Sequence, residues 1–272
     1  MELSYTDSLP KTGFNFDNYE RNATFAEKGM APPRATSTGT TIVGCVYKDG
    51  VVLASDTRAT GGSIVGEKNC QKLHPIAPFI YTAGAGTAAD CDHVNEQIRR
   101  DMELHAMQTG QRTRVNQVVT RFTNQLFRYM GHLGCAIIIG GIDVKGKHVC
   151  YVDPHGISRY HPYIVTGSGM LAAQAIFDTR YREDMTEQEA IDVCSSAIEA
   201  GIYHDLGSGS NVDIVVIDEN GPRMTRGYKS DNHKPPNHAT PDKYIFPSGT
   251  TEVLTTKNFK LEVSEGEQPM EL

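Results

Sequence analysis

The sequence predicts an α+β protein in which antiparallel sheets are layered with helices. Strand-like and helix-like segments occur in blocks, in the order strands, two helices, strands, two helices and strands. The first and last pairs of strand-like runs are separated by Asp-Gly and Asn-Gly turns, which are typical of antiparallel hairpins. A doubly wound parallel sheet would instead require strands and helices to alternate. The block order therefore favours a layered sandwich.

The first hairpin begins directly after Gly39. Residues 41–47 and 51–55 are apolar and rich in β-branched side chains, and Lys-Asp-Gly at 48–50 separates them. Residues 1–39 are polar, contain three prolines and lack apolar periodicity. We therefore expect the folded body to begin at Thr40.

The central elements follow from the spacing of apolar residues. Residues 79–83 predict a short strand, and the glycine-rich turn at 84–87 leads from it into a helix that ends near residue 107. A second helix is predicted at 114–130, where apolar side chains recur every three or four residues and form one stripe. Two consecutive helices are therefore expected in the middle of the chain.

The second half of the chain repeats this order. A helix is predicted from about residue 169 to 176, and Thr186 with Glu189 forms the capping-box pattern that marks the start of another. The remaining apolar runs predict strands at residues 135–139, 148–152, 163–166, 212–217 and 222–228.

The last segment differs in character from the rest of the chain. After residue 228 the sequence loses its periodicity and gains prolines, yet residues 244–246 and 253–254 remain apolar. A disordered tail is ordinarily more polar than this. We therefore expect an arm that becomes ordered on a neighbouring chain.

Composition argues against several classes of protein. A net charge of −7 provides no basic field for nucleic acid, and no run approaches the ~18 apolar residues of a membrane span. Six widely spaced cysteines without a C-x-x-C pair, and a start without an apolar signal region, indicate a reduced intracellular protein. There is no H-E-x-x-H pattern. We expect no nucleic acid, membrane, metal or cofactor.

Four separated motifs carry a resemblance to a known family. They are TTIVGCVYKDGVVLASDTRAT from Thr40, QKLHPI from Gln71, TAGAGTAAD from Thr82 and SGSNVDIVVID from Ser208. Over residues 39–228 the chain closely resembles proteasome beta subunits of the trypsin-like class. The resemblance implies a four-layer αββα sandwich, the N-terminal nucleophile hydrolase fold.

The same resemblance implies that the chain has three segments with different roles. Residues 1–39 would be a propeptide removed by self-cleavage, and residues 40–228 the catalytic αββα domain. Residues 229–272 would form a C-terminal arm that contacts a neighbouring subunit. The boundary between the first two segments is the Gly39-Thr40 bond.

Thr40 acquires a chemical meaning if that bond is cut, because the new α-amine and the hydroxyl then belong to one residue. A free α-amine has a pKa of about 7.7 to 8.0, so a useful fraction is a base at pH 7. An N-terminal threonine is one of the known activated nucleophiles. Taken alone, Thr40 is more simply the first residue of a strand. The resemblance implies that it is the nucleophile of a threonine endopeptidase.

Further catalytic roles come from the resemblance. It implies that Lys72 lowers the pKa of the Thr40 amine, that Asp56 holds Lys72 in place and charged, and that the Gly86 amide donates to the oxyanion. Three more positions around the nucleophile match the family, at Ser168, Asp205 and Ser208. An extra methyl group restricts χ1 of threonine relative to serine, which helps to hold the hydroxyl for attack.

These residues also have plainer interpretations. A lone lysine is usually solvated, an aspartate after a strand often caps a turn, and the 204–209 loop resembles ordinary helix-end chemistry. Gly84, Gly86 and Ala89 match a G-x-G-x-x-A dinucleotide pattern. That pattern requires a strand ending in an acidic residue after the helix, whereas a second helix is predicted here.

The resemblance also implies cleavage after basic residues. Substrate-binding positions match at Thr60, Gly84, Ala88 and Asp92. Gly84 would leave a deep pocket for Lys or Arg and Asp92 would attract its charge, although a carboxylate near a helix N-terminus is also favourable by itself.

The implied partners are other proteasome subunits and unfolded polypeptides. The resemblance places the chain with alpha and beta subunits in a 28-subunit core of stacked seven-membered rings, in the cytoplasm and nucleus. An alternative is a non-catalytic structural beta subunit that retains its propeptide. The joint presence of Gly39, Thr40, Asp56 and Lys72 argues against that alternative.

Overall fold

The computed structural model describes residues 17–30, 37–230, 249 and 252–260. The chain divides into two units, Met1–His233 and Lys234–Leu272. In the second unit, the described residues form no helix or strand, and Val253 and Leu254 are among them. The apolar residues at 244–246 lie outside the described part of the chain.

The first sheet has five strands, and each pair of neighbours is antiparallel. The strands lie in the order β10 (Tyr163–Gly167), β1 (Thr41–Tyr47), β2 (Gly50–Asp56), β11 (Val212–Asp218) and β12 (Gly221–Lys229). Strands β1 and β2 form the predicted first hairpin, in which Tyr47 pairs with Gly50 across the turn.

The second sheet is an antiparallel meander in chain order. Its strands are β5 (Leu73–Ala77), β6 (Ile80–Gly86), β7 (Cys135–Asp143), β8 (Gly146–Val152) and β9 (Ser158–Tyr160). Two short strands form a separate ribbon, β3 (Ala59–Gly61) and β4 (Ile64–Glu67).

The described residues form five helices. They are α1 (Asp17–Glu27), α2 (Ala88–Thr109), α3 (Val115–Arg128), α4 (Met170–Arg180) and α5 (Glu187–His204). The predicted capping box is present at the start of α5, where the Thr186 amide donates to Glu189 Oε2 at 2.8 Å and the Glu189 amide donates to Thr186 Oγ1 at 3.4 Å.

The order of the layers is given by the apolar side chains buried on each face of the two sheets. Helices α4 and α5 pack on the outer face of the first sheet, in a buried cluster that includes Phe177 of α4. Helices α2 and α3 pack on the outer face of the second sheet around Phe122. The two inner faces meet through a third apolar cluster that includes Leu53 and Ile138. This α, β, β, α order confirms the predicted four-layer sandwich.

Several short elements differ from the sequence-based expectation. The predicted turn at 84–87 is wrong for residues 84–86, because β6 continues through Gly86 and pairs with β7 as far as Cys135. Strand β5 was not predicted, since it contains Pro75, which a strand at the edge of a sheet tolerates. Strands β3, β4 and β9 were also missed because they are short and mostly exposed.

Helix α1 was not predicted either. Residues 20–27 are all exposed, so this part of the helix has no buried apolar stripe that periodicity could reveal. Within the described ranges, no helix has both the length and the apolar character needed to cross a membrane.

Candidate active site

Thr40 lies immediately before β1 and only 2% of it is exposed. Its hydroxyl Oγ1 donates a hydrogen bond to the Gly39 carbonyl oxygen at 2.7 Å. Its amide donates to Ser168 Oγ at 3.0 Å, and its carbonyl accepts from the Gly169 amide at 3.3 Å. The residue is therefore held through its hydroxyl, its amide and its carbonyl.

Lys72 directly precedes β5 and extends to the Thr40 hydroxyl. Its Nζ lies 3.0 Å from Thr40 Oγ1, 3.1 Å from the Gly39 carbonyl oxygen and 2.8 Å from Asp56 Oδ1. An ammonium has three protons, and these three acceptors match them. With 6% of its side chain exposed, Lys72 is not the solvated surface residue that its polar sequence context suggested.

Asp56 ends β2 and is fully buried. Its Oδ1 accepts from Lys72 and from the Thr41 amide at 2.9 Å, and its Oδ2 accepts from the amides of Gly209 at 3.1 Å and Arg58 at 3.2 Å. Burial raises the pKa of Asp56, while the Lys72 ammonium and the amide donors oppose that rise. Because all four of these partners are donors, the arrangement fits an ionised carboxylate.

A second carboxylate, Asp205, lies behind the Thr40 amide. Its Oδ2 accepts from Ser168 Oγ at 2.6 Å and from Ser208 Oγ at 2.7 Å, and its Oδ1 accepts from the Gly207 amide at 3.0 Å. Ser168 therefore accepts from the Thr40 nitrogen while it donates to Asp205. Of the three predicted residues, Ser168 contacts Thr40 directly, and Asp205 and Ser208 are connected to it through hydrogen bonds.

Gly39 is a glycine for a steric reason that local sequence could not reveal. A Cβ atom at this position would collide with the backbone of Gly207. Gly39 does not have a positive φ, so the close approach of Gly207, and not the backbone conformation, requires a glycine here. Its amide donates to Thr60 Oγ1 at 3.0 Å. The residue before Thr40 is thus fixed from two sides.

Gly86 ends β6 with φ of +131°, and a Cβ atom there would collide with the Gly134 carbonyl oxygen. Its own carbonyl accepts from the amide of Thr38 at 2.9 Å and from the Thr38 hydroxyl at 3.1 Å. Gly86 therefore holds the segment that leads into Thr40. Its predicted role as an oxyanion donor stays a prediction.

The predicted substrate-binding residues lie in different surroundings. Thr60 contacts Gly39, and Ala88 is the first residue of α2. The Gly84 amide donates to the Lys72 carbonyl at 3.3 Å, and a Cβ atom on Gly84 would lie 3.2 Å from Cys91 Cβ. Gly84 thus allows α2 to pack closely on β6, and the deep pocket expected at Gly84 stays a prediction.

Asp92 is 67% exposed, and its Oδ1 lies 3.5 Å from His74 Nε2. Burial lowers the pKa of His74, and the Asp92 carboxylate opposes that change. Both residues line a cavity of about 510 Å³, together with Glu67, Cys70, Gln71, Pro75, Asn95, Glu96 and Arg99. Asp92 is the one predicted substrate-binding residue among these described lining residues.

Sequence reasoning missed several residues that shape the site. The hydroxyl of Thr41 lies 2.7 Å from Ser208 Oγ, and a Cβ atom at Gly169 or Gly201 would collide with it. A usable signal was present in the sequence, because Gly-Ser-Gly occurs at both 167–169 and 207–209. In each triplet the serine contacts Asp205 and the glycines allow close approach.

In the described portions of the chain, no group of three or more His, Cys, Asp or Glu side chains could hold a metal ion.

The αββα sandwich with a buried threonine at the start of a central strand defines the class as the N-terminal nucleophile hydrolase fold. Comparison with known proteins agrees with this class. The family model for proteasome subunits matches residues 36–217, so the chain belongs to the proteasome subunit family.

The relatives identify the branch of the family as the beta subunits of types 2, 7 and 10. A probable proteasome subunit beta type-2 from Schizosaccharomyces pombe is 47% identical over 250 residues, which cover 92% of each chain. A proteasome subunit beta type-7 from Dictyostelium discoideum is 46% identical and covers 91% of this chain and 92% of its own length. A proteasome subunit beta type-10 from Mus musculus is 43% identical, with 90% of each chain covered.

The buried ion pair leads to a prediction about stability. We expect Asp56→Ala to lower the free energy of unfolding by about 3 to 5 kcal/mol, because the Lys72 charge is then left buried without its partner. The matched control is Glu199→Ala, which breaks a half-exposed pair with Lys229 at 2.8 Å and should lose about 1 kcal/mol or less. Urea unfolding of the full chain measures both values. Equal losses in the two variants would contradict the assigned importance of the buried pair.

Proposed function

We propose that this chain is a catalytic beta subunit of the 20S proteasome core. Its activity is that of a threonine endopeptidase, which cuts after basic residues during ubiquitin-dependent protein degradation. The observation that carries the proposal is the Lys72 ammonium, 3.0 Å from the Thr40 hydroxyl and 2.8 Å from Asp56. Burying such a charge is costly, and a purely structural subunit has no evident need for it beside a threonine.

The first reaction in this proposal is self-cleavage of the Gly39-Thr40 bond. Thr40 Oγ1 bonds to the Gly39 carbonyl carbon, the carbon–nitrogen bond breaks, and the nitrogen takes the hydroxyl proton to become a free amine. Water then hydrolyses the ester and leaves a carboxylate on Gly39. Lys72 Nζ, 3.1 Å from the Gly39 carbonyl oxygen, is positioned to stabilise the negative charge that develops there.

The second reaction uses the new amine as the base. It takes the Thr40 hydroxyl proton while Oγ1 attacks the substrate carbonyl, and it returns the proton to the leaving amine. Water hydrolyses the resulting ester and restores the enzyme. The nearby Lys72 ammonium favours the neutral amine and so lowers its pKa. Ser168 and Asp205 hold the nitrogen, and the Gly86 amide is the proposed oxyanion donor.

The proposed preference for Lys or Arg before the cut rests on charge. The cavity at Asp92 also contains the carboxylate of Glu67, and burial keeps His74 from adding a positive charge at neutral pH. Glu96 in the same cavity already pairs with Arg99 at 2.8 Å. Asp92 and Glu67 are therefore the carboxylates that would attract a basic side chain.

The proposed partners and location are supported by membership of the family. The relatives are named as proteasome subunits, and we propose assembly with other alpha and beta subunits into a 28-subunit core of stacked seven-membered rings. The substrates would be unfolded polypeptides, and the location the cytoplasm and nucleus. Residues 1–39 are proposed to be a propeptide, residues 40–228 the catalytic domain, and residues 229–272 an arm on a neighbouring subunit.

The central experiment replaces the nucleophile. We expect Thr40→Ala in the assembled particle to lose about a thousandfold or more of the peptidase activity, and to leave residues 1–39 attached, because one hydroxyl serves both reactions. Thr40→Ser is the matched control and should retain part of both. Fluorogenic peptide cleavage and the intact mass of the chain measure the outcomes. Activity of the alanine variant within about tenfold of the unmodified chain would overturn the mechanism, and an unprocessed chain in normal particles would favour the structural subunit.

The specificity is tested at Asp92. We expect Asp92→Asn to reduce kcat/KM for peptides with Arg or Lys before the cut by roughly five- to thirtyfold, since water in an open pocket reduces a charge pair of about 4 kcal/mol to about 1 to 2 kcal/mol. Peptides with a neutral residue there should change little. Glu103→Gln, another exposed carboxylate on α2, is the control and should affect neither peptide. Equal losses on both peptides would indicate that Asp92 supports the helix instead of the specificity.

The arm is tested by truncation. Deleting residues 230–272 should reduce incorporation into the particle more than it reduces the solubility of the isolated chain, because its apolar residues are proposed to pack on a neighbouring subunit. Native gels of assembled particles and the soluble fraction of the free chain measure the two effects. Normal assembly of the truncated chain would reject this role.

A further inference from the structure

A bulge in the edge strand β12 lies opposite Asp213. Val212 pairs with Lys229 and Ile214 pairs with Thr225, so one residue of β11 faces three residues of β12. Asp213 is fully buried, and its Oδ1 accepts from the Gly227 amide at 2.8 Å. Gly227 has φ of +62°, a conformation that glycine adopts without strain. Bulges of this kind redirect a side chain and are common beside active sites.

The side chain that this bulge redirects is Arg226. Its Nε lies 2.6 Å from Asp213 Oδ2. Its two terminal nitrogens reach the segment 69–71, where Nη2 donates to both the carbonyl and the Oδ1 of Asn69 at 2.8 Å, and Nη1 donates to Gln71 Oε1 at 3.2 Å. The planar guanidinium thus joins a buried carboxylate to a surface segment.

The segment 69–71 leads directly into Lys72, the residue whose ammonium contacts Thr40. Two hydrogen bonds join this part of the chain to Thr57: the Cys70 amide donates to the Thr57 carbonyl at 2.9 Å, and the Thr57 hydroxyl donates to the Lys68 carbonyl at 2.8 Å. Thr57 directly follows Asp56, so the segment is fixed to the end of β2 on one side and to Arg226 on the other. Asn69 and Gln71 are themselves exposed, and the ribbon β3–β4 that precedes them is largely exposed.

We propose that Arg226 is a positioning residue for Lys72. It holds the segment 69–71 against the first sheet, and this fixes where the Lys72 backbone starts and where its ammonium ends. The inference rests on the proposed function, because Lys72 has a catalytic role only if Thr40 is the nucleophile. Asp213 aims the guanidinium, and Arg226 itself does not touch the reacting atoms.

The chemistry of the site makes this role measurable. Among the described residues, the ionisable side chain that contacts Thr40 is Lys72. Asp56 pairs with Lys72, and Asp205 is connected to Thr40 through Ser168. If Lys72 shifts away from Thr40, the amine loses the neighbouring positive charge that lowers its pKa. The acid limb of the kcat/KM profile then moves to higher pH. A variant that only reduces the amount of folded particle lowers activity without moving that limb.

The experiment uses assembled particles that contain full-length variants of this chain. Arg226→Met should lower kcat by about ten- to a hundredfold, as expected for misplacement of about 1 Å, with KM nearly unchanged and the acid limb shifted upward. Arg226→Lys keeps the charge next to Asp213 but lacks the two terminal guanidinium nitrogens that bind Asn69 and Gln71. It should therefore shift the acid limb of the kcat/KM profile in the same direction. The control Arg223→Met removes the same charge from the same strand, and among the described residues it breaks the ion pairs with Glu187 and Asp218.

Either of two outcomes in the Arg226 variants would overturn the proposal. One is an acid limb that stays in place in Arg226→Met, and the other is full recovery by Arg226→Lys, which would mean that Arg226 only neutralises Asp213. A second variant is used if Arg226→Met fails to assemble. The double variant Asn69→Ala with Gln71→Ala removes two of the three oxygen atoms in the segment 69–71 that accept from Arg226. It should move the acid limb by a smaller amount in the same direction, and an unmoved acid limb in this variant also overturns the proposal.

A parallel Thr40→Ala sample separates this proposal from the one on which it rests. Peptidase activity that survives Thr40→Ala refutes the proposed function. Activity that depends on Thr40 but has an acid limb unaffected by Arg226→Met refutes the positioning role alone.

Discussion

The ion pair between Lys72 and Asp56 is the interaction on which the rest of the site depends. Two charges removed from water are stable only when their remaining hydrogen-bonding capacity is used. Asp56 accepts from Lys72 and three amides, and Lys72 donates to Asp56 and to the two residues of the Gly39-Thr40 bond. The ammonium can be satisfied in this way only if that bond lies where it does.

The sheet topology explains how residues so distant in sequence reach one place. Strand β1 starts and β2 ends at the same end of the first sheet, because Ile42 pairs with Ser55. The neighbouring strands also have a terminus at this end, since Thr41 pairs with Gly167 of β10 and Asp56 pairs with Val212 of β11. The loops that carry Ser168 and Ser208 therefore meet beside Thr40. In the second sheet, Lys72 directly precedes β5. The backbone carbonyl of Lys72 accepts from the amide of Gly84, near the end of β6.

Local pattern predicted the long elements and a layered sandwich, because the apolar stripe of α3 and the apolar runs of β1 and β2 are typical of buried faces. The four-layer αββα order came from the resemblance. Local pattern could not predict β3, β4 or β9, which bury little, or α1, whose described side chains are exposed. The site residues came from the resemblance, and their contacts are long-range: Gly39 is a glycine because Gly207 approaches it from the other half of the chain. No local propensity contains that information. The catalytic roles themselves remain predictions.

The same contacts suit two successive states of Thr40, and this is what a self-processing threonine would require. In the uncut chain the nitrogen is an amide that donates to Ser168, and an amide nitrogen is not a base at neutral pH. Cleavage would convert it into an amine without moving the hydroxyl, Lys72 or Asp205. Lys72 would lose the Gly39 carbonyl as an acceptor and gain an amine as a neighbour, so its charge would act on the pKa of the base only after the cut. In the proposed mechanism, cleavage of this one bond would convert an inactive cluster with satisfied hydrogen bonds into one with a nucleophile and a base, without a rearrangement of the sheet.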